Sequence, residues 1–254
     1  MNINLSYRVI PLIFLATILS GCGLFGSSGH GKSKTDLSGL YVDMGVRYMD
    51  VGKMDIALEK LEHALELNPN NGDAHNALAV FYDKINLLDK ADVHFNKALR
   101  IKPNDSSIAN NYGKLLCKRG DYDKAFSYIN KALALPMNDR QWYALANAGQ
   151  CYQTRGDNQA AEDNYRKALS LHGTFAPALK GMAYISFDAN KNRSARAFLE
   201  RYLNVADENE DTLLLGVKIE QAIGNQRLKK EYAEKLDRLY PNSKQAREAA
   251  ELVQ

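Results

Sequence analysis

Three cysteines and five histidines carry the groups in this 254-residue chain best suited to covalent or metal chemistry. A thiol can be acylated, can pair into a disulfide, or can attack a carbonyl when a base stands beside it. A histidine can supply that base or ligate a metal. His30, His63, His75, His94 and His172 fall at no interval that groups metal donors, and none belongs to a cysteine motif. There is no glycine-rich phosphate loop, and the carboxylates alternate with lysine and arginine along solvated helix faces. With no catalytic constellation, no cofactor or metal motif and no small-molecule site, the sequence points to a binding protein, not an enzyme.

The thiols differ in context. Cys22 follows a run with a sparse basic start at Arg8 and an uncharged stretch from Val9 to Leu19, interrupted by Pro11. That stretch is too short for a transmembrane helix and has the form of a secretory signal. Its end, Leu19-Ser20-Gly21-Cys22, resembles the bacterial lipobox. The resemblance implies that residues 1–21 are a lipoprotein signal peptide and that Cys22 becomes the lipidated first residue. Gly23 stands where an Asp would resemble an inner-membrane retention signal, which implies an outer-membrane anchor with the chain facing the periplasm. Two or more acyl chains anchor stably where one is marginal. Residues 22–37, rich in Gly, Ser and Lys and without periodicity, are expected to form a lipidated flexible tether. The membrane contact is then through the lipid alone.

Beyond the tether the chain is built to fold. It is 45% hydrophobic, and its 33 basic and 30 acidic residues are interleaved, so no basic patch suggests nucleic acid. Residues 57–71 and 91–105 align at an offset of 34 without a gap. Extending that register places six repeat starts at Ser38, Gly72, Ser106, Trp142, Ala176 and Glu210, with two extra residues between Pro136 and Gln141. Period and residue types resemble the tetratricopeptide repeat: Tyr41, Met44, Gly45, Tyr48, Ala57, Leu61, Ala64 and Pro69 occupy its signature places in the first repeat. Small residues at Gly45, Ala79, Gly113 and Gly149 allow close helix approach. Gly52, Asn86, Gly120, Gly156, Asn190 and Gly224 stand at one offset in all six repeats, where a left-handed residue ends a helix. The expected fold is all-α: a tetratricopeptide repeat solenoid over residues 38–241, closed by a capping helix over 242–254.

Some segments lie outside the generic repeat signature. NNYGKLLC (110–117), NAGQC (147–151), ARAFLERY (195–202) and LGVKIE (215–220) resemble those of the type IV pilus lipoproteins of the PilF/PilW family. That resemblance implies a pilotin, which binds outer-membrane secretin subunits and promotes their localisation and multimerisation in pilus biogenesis. A lipoprotein adaptor of the same fold, gathering cell-wall hydrolases or synthases, is the alternative.

Cys117 and Cys151 fall in the first helices of adjacent repeats, offset by two places, in what the lipobox implies is an oxidising compartment. A disulfide is expected there, the alternative being two buried free thiols. For partner binding, first helices line the inner face of such a stack. Val42, Val46 and Met49 share one stripe in repeat one, and the matching Asn76, Val80 and Asn110 lie in repeats two and three. The expected docking site is an apolar groove on repeat one with Asn76 and Asn110 orienting the partner, unless Leu24 and Phe25, or Leu37 and Leu40, fold back over it.

Overall fold

The computed structural model describes residues 33–135 and 139–253. Within them the chain forms thirteen helices and no strand. Six antiparallel hairpins follow one another: α1 (Lys34–Asp50) with α2 (Met54–Leu67), α3 (Gly72–Lys84) with α4 (Leu88–Ile101), α5 (Ser106–Lys118) with α6 (Tyr122–Ala134), α7 (Gln141–Arg155) with α8 (Asn158–Leu171), α9 (Ala176–Asp188) with α10 (Asn192–Leu203), and α11 (Glu210–Ile223) with α12 (Gln226–Leu239). A last helix, α13 (Lys244–Val253), packs against α11 and α12. Each first helix touches the first helix of the next hairpin, and each second helix touches it too, which is the connectivity of a solenoid.

Local chemistry explains where the helices start and stop. Ser33 and Asp36 form a capping box, each side chain accepting a 3.1 Å bond from the other's backbone N–H. Residues 34–37, expected in the tether, are therefore the first turn of α1, and Leu37 and Leu40 belong to that helix. Asn209 and Thr212 form a second capping box at α11, while Asn71 and Asp105 cap α3 and α5 by accepting from two backbone N–H groups each. Between the two helices of every hairpin the chain turns through one residue of positive φ: Gly52, Asn86, Gly120, Gly156, Asn190 and Gly224. These are the six positions that the sequence register singles out.

In four of the described hairpins glycine stands where the two helices cross. A Cβ added at Gly113 would lie 2.7 Å from Ile129, and one at Gly149 would lie 2.7 Å from the Tyr165 ring. The core is a strip, not a ball. Val80 and Tyr82 pack on both the Val42–Leu61–Phe81 cluster and the Phe95–Ile108–Leu115 cluster, and Leu169 and Phe198 likewise join the two clusters around Tyr165 and Leu199. At the far end α13 buries Ala246 and Ala249 against Leu213, Val217 and Leu236, while Lys229 Nζ donates to the Leu252 carbonyl at 2.9 Å. No described helix is long and apolar enough to cross a membrane.

Candidate partner-binding groove

The first helices bury one arc and present the other. In α1 the buried residues are Ser38, Val42, Gly45 and Met49. Val42 and Met49 are thus core side chains, packed with Leu61, Leu78 and Phe81, and do not line a groove. The N-terminal helix must cover both its own partner α2 and the following α3, so its buried arc takes in the two stripes that the sequence treats as separate. Of the expected apolar trio only Val46 is exposed, at 36%.

Val46 nonetheless faces a cavity. With Asp50 it lines a space of about 500 Å³ shared with Ser107, Asn110 and Asn111 of α5 and with Tyr143 of α7. Residues of α1 and α7 bordering one space make this face concave. Asn76 and Val80 of α3 are half-buried but do not line this space: Asn76 is tied to Asn111, and Val80 packs on the first two core clusters. Two asparagine pairs cross between neighbouring first helices: Asn111 Nδ2 donates to Asn76 Oδ1 at 3.3 Å, and Asn147 Nδ2 donates to Asn110 Oδ1 at 3.0 Å. Asparagine in mid-helix is usually unfavourable because its amide competes for backbone bonds. Here each amide bonds sideways and fixes α3, α5 and α7 relative to one another. Lysines add a second set of ties, Lys84 Nζ donating to the Met49 carbonyl at 3.3 Å and Lys118 Nζ to the Asp83 carbonyl at 3.1 Å.

The groove continues past α5. The sulfurs of Cys117 and Cys151 lie within bonding distance, with their Cα atoms 5.6 Å apart, and border a cavity of about 220 Å³ with Lys114, Lys118, Asn147 and Gln150. Asn147 and Gln150 also border the next cavity, of about 480 Å³, which extends to Pro177, Lys180 and Tyr184 of α9. The inward wall there is Tyr165, whose hydroxyl donates to Gln153 Oε1 at 3.0 Å. Cys22 lies outside the described residues, as do Leu24 and Phe25.

The imidazoles sit away from this face. His63 bonds Glu66 at 2.8 Å, His172 lies against Trp142, and His30 is outside the described residues. No cluster of three or more His, Cys, Asp or Glu side chains suited to a metal occurs among the described residues. His75 and His94 meet between α3 and α4 with Nδ1 atoms 3.0 Å apart. His75 Nε2 is 3.2 Å from the Pro69 carbonyl, which only accepts, so neutral His75 donates there and takes the His94 Nδ1–H on its other nitrogen. Burial lowers both pKa values, and in His94 the neighbouring His75, Lys97 and Lys90 help bring it down from 6.5 to about 4. The unfolded chain therefore binds more protons than the folded one below pH 6.5. Stability is expected to be level above pH 6.5 and to fall as pH drops from there toward about 4. Thermal melts across that range check this: His94→Gln, which keeps an N–H donor but does not titrate, should flatten the slope, and an unchanged slope would refute the assignment.

Comparison with known proteins bears on what the groove serves. Residues 48–110 and 105–172 match tetratricopeptide repeat family models. The crystal structure of PilW, described as a widely conserved type IV pilus biogenesis factor, is 31% identical, with a TM-score of 0.72 over 84% of this chain and 98% of that one. The chain belongs to the PilF/PilW family. PilF of Pseudomonas aeruginosa, a type IV pilus assembly protein, is 25% identical over 242 residues, covering 94% of this chain and 96% of the relative. Its solved structure superposes with a TM-score of 0.69 over 85% of this chain and 98% of the other. PilF/PilW membership thus extends across all six hairpins, groove included.

Proposed function

We propose that this chain is a lipid-anchored pilotin of the outer membrane, which binds secretin subunits and promotes their localisation and multimerisation during type IV pilus biogenesis. It works as a non-enzymatic scaffold. The observation that carries this is the concave face of the first helices, cross-tied by the asparagine pairs into a preformed groove, in a chain whose relatives of similar length are pilus biogenesis proteins. The lipobox-like Leu19-Ser20-Gly21-Cys22 supplies the anchor, and the periplasmic setting keeps Cys117 and Cys151 as a disulfide.

The test is a gene deletion complemented with the full chain or its variants. Secretin multimers and twitching motility should be lost on deletion and restored by the full chain. Intact multimers with altered cell-wall cleavage would favour an adaptor for hydrolases or synthases instead. Cys22→Ala should keep its helical spectrum and melting temperature while leaving the outer membrane, and undiminished residence there would refute the anchor. Val46→Asp places a charge in the cavity between α1 and α7, and losing a buried anchor commonly costs more than about 1 kcal/mol of binding. We expect at least about five-fold weaker secretin capture by a folded protein. Unchanged capture would remove the α1 end of the groove from the docking surface.

A further inference from the structure

The two cavities between α5 and α9 meet at Asn147 and Gln150, and neither is lined by a single Asp or Glu. That is unusual in a chain with 30 acidic residues interleaved among its bases. Lys114 stands at one end and Lys180 at the other. Lys118 is held by Asp83 at 3.0 Å, whereas Lys114 and Lys180 have no hydrogen-bond or ion-pair partner among the described residues. Between them the Gln150 amide is also unpartnered, and Asn147 and Gln153 each spend only part of their bonding capacity.

We propose that this stretch of the groove is a seat for an extended acidic peptide segment of the protein partner, a proposal that rests on the docking role given above to the first-helix face. Charge sets the sign. The lining itself holds these lysines and no carboxylate, with Asp188 and Asp211 reaching only its Tyr184 end, and such a lining favours acidic over basic segments. The amides set the conformation. A helix has already spent its backbone N–H and C=O groups internally, whereas an extended strand offers both to side-chain amides that can donate and accept. Pro177 and Tyr184 give one apolar contact beside Lys180.

Spacing follows from the fold. Lys114 and Lys180 lie on first helices two steps apart, and neighbouring packed helices are about 8–10 Å apart, so about 16–20 Å separates the two stations. An extended chain covers that in about five or six residues. The segment should therefore carry two acidic positions at about that interval.

The experiment pans phage-displayed random dodecapeptides on the full chain and measures the recovered peptides by fluorescence anisotropy. We expect enrichment of Asp or Glu at two positions five or six residues apart. Raising salt from about 50 to 500 mM should weaken binding markedly, since surface charge pairs are screened. Lys114→Gln/Lys180→Gln should weaken it at least ten-fold with the helical spectrum unchanged. Recovery of neutral or basic peptides, no enrichment, or acidic peptides indifferent to the double substitution would overturn the seat. So would equal competition by single-stranded DNA or by phosphatidylglycerol vesicles, which would show unselective anion binding. Secretin multimers in cells separate this from the pilotin proposal. If the double variant loses the peptides yet still assembles multimers, the seat stands and assembly does not use it. If no secretin capture is found but acidic peptides bind through both lysines, the pilotin reading falls alone.

Discussion

Replacing Arg196 with Met destabilises the protein by about 3–5 kcal/mol, and replacing Glu220 with Leu in the same chain returns most of that loss. The pair joins α10 to α11 and so links the fifth hairpin to the sixth. Both guanidinium contacts fall on one carboxylate: Arg196 Nε donates to Glu220 Oε1 at 2.6 Å, and a terminal nitrogen donates to Oε2. The Glu220 side chain is 2% exposed and that of Arg196 27%, so nearly all the desolvation cost falls on the carboxylate. With Arg196 gone, a buried charge loses its partner at an interface that otherwise packs Leu199, Leu215 and Ile219. With both gone, two apolar side chains of similar volume extend that same packing, which is commonly neutral or better. Urea unfolding reads the effect. Because hairpins in a solenoid are held mainly by their neighbours, the single variant should also separate unfolding of α11 to α13 from the rest. A loss below about 1 kcal/mol in Arg196→Met, or a double variant no better than the single, would place the pair among weak surface ion pairs.

The architecture was legible because its determinants are local. Left-handed backbone is a property of single residues, so Gly52, Asn86 and their four equivalents mark the hairpin turns without any knowledge of packing. Close helix crossing likewise demands a missing side chain, and Gly113 and Gly149 announce it. The groove was less legible because it depends on how helices are placed against one another. Val42 and Met49 look like a free stripe only while α1 is considered alone; once α2 and α3 both pack on it, the apolar character of those two positions is the sign of their burial. From sequence Asn76 and Asn110 read as groups that orient a partner, whereas in the fold they accept from Asn111 and Asn147. Their pairing joins a place in one repeat to the next place along in the following repeat, a stagger that only the packed helices supply. The start of α1 is masked for a smaller reason: Ser33 and Asp36 form a capping box inside a segment whose composition otherwise reads as linker.

Removing the proposed Cys117–Cys151 disulfide should lower stability by about 2–4 kcal/mol. The two cysteines are 34 residues apart, and a link across that span restricts the unfolded chain far more than it restricts the native one. In the folded protein Cys117 is 7% exposed and Cys151 fully buried, so the pair forms part of the groove floor with only its Cys117 side near solvent. The proposed bond would tie α5 to α7, the first helices of the two repeats between which the repeat spacing breaks. The Asn110–Asn147 hydrogen bond crosses the same pair of helices, which predicts coupling between them. Asn147→Ala should therefore cost more in a Cys117→Ala/Cys151→Ala background than in the parent, the difference appearing as a non-zero interaction energy in the double-mutant cycle. Mass spectrometry of protein taken from its own compartment gives the direct reading: no change after alkylation without reductant, and two added groups after reduction and alkylation of the unfolded chain. Two thiols alkylated without reductant in the unfolded chain, or a melting temperature indifferent to their replacement by alanine, would mean that packing and the asparagine pair alone hold this joint.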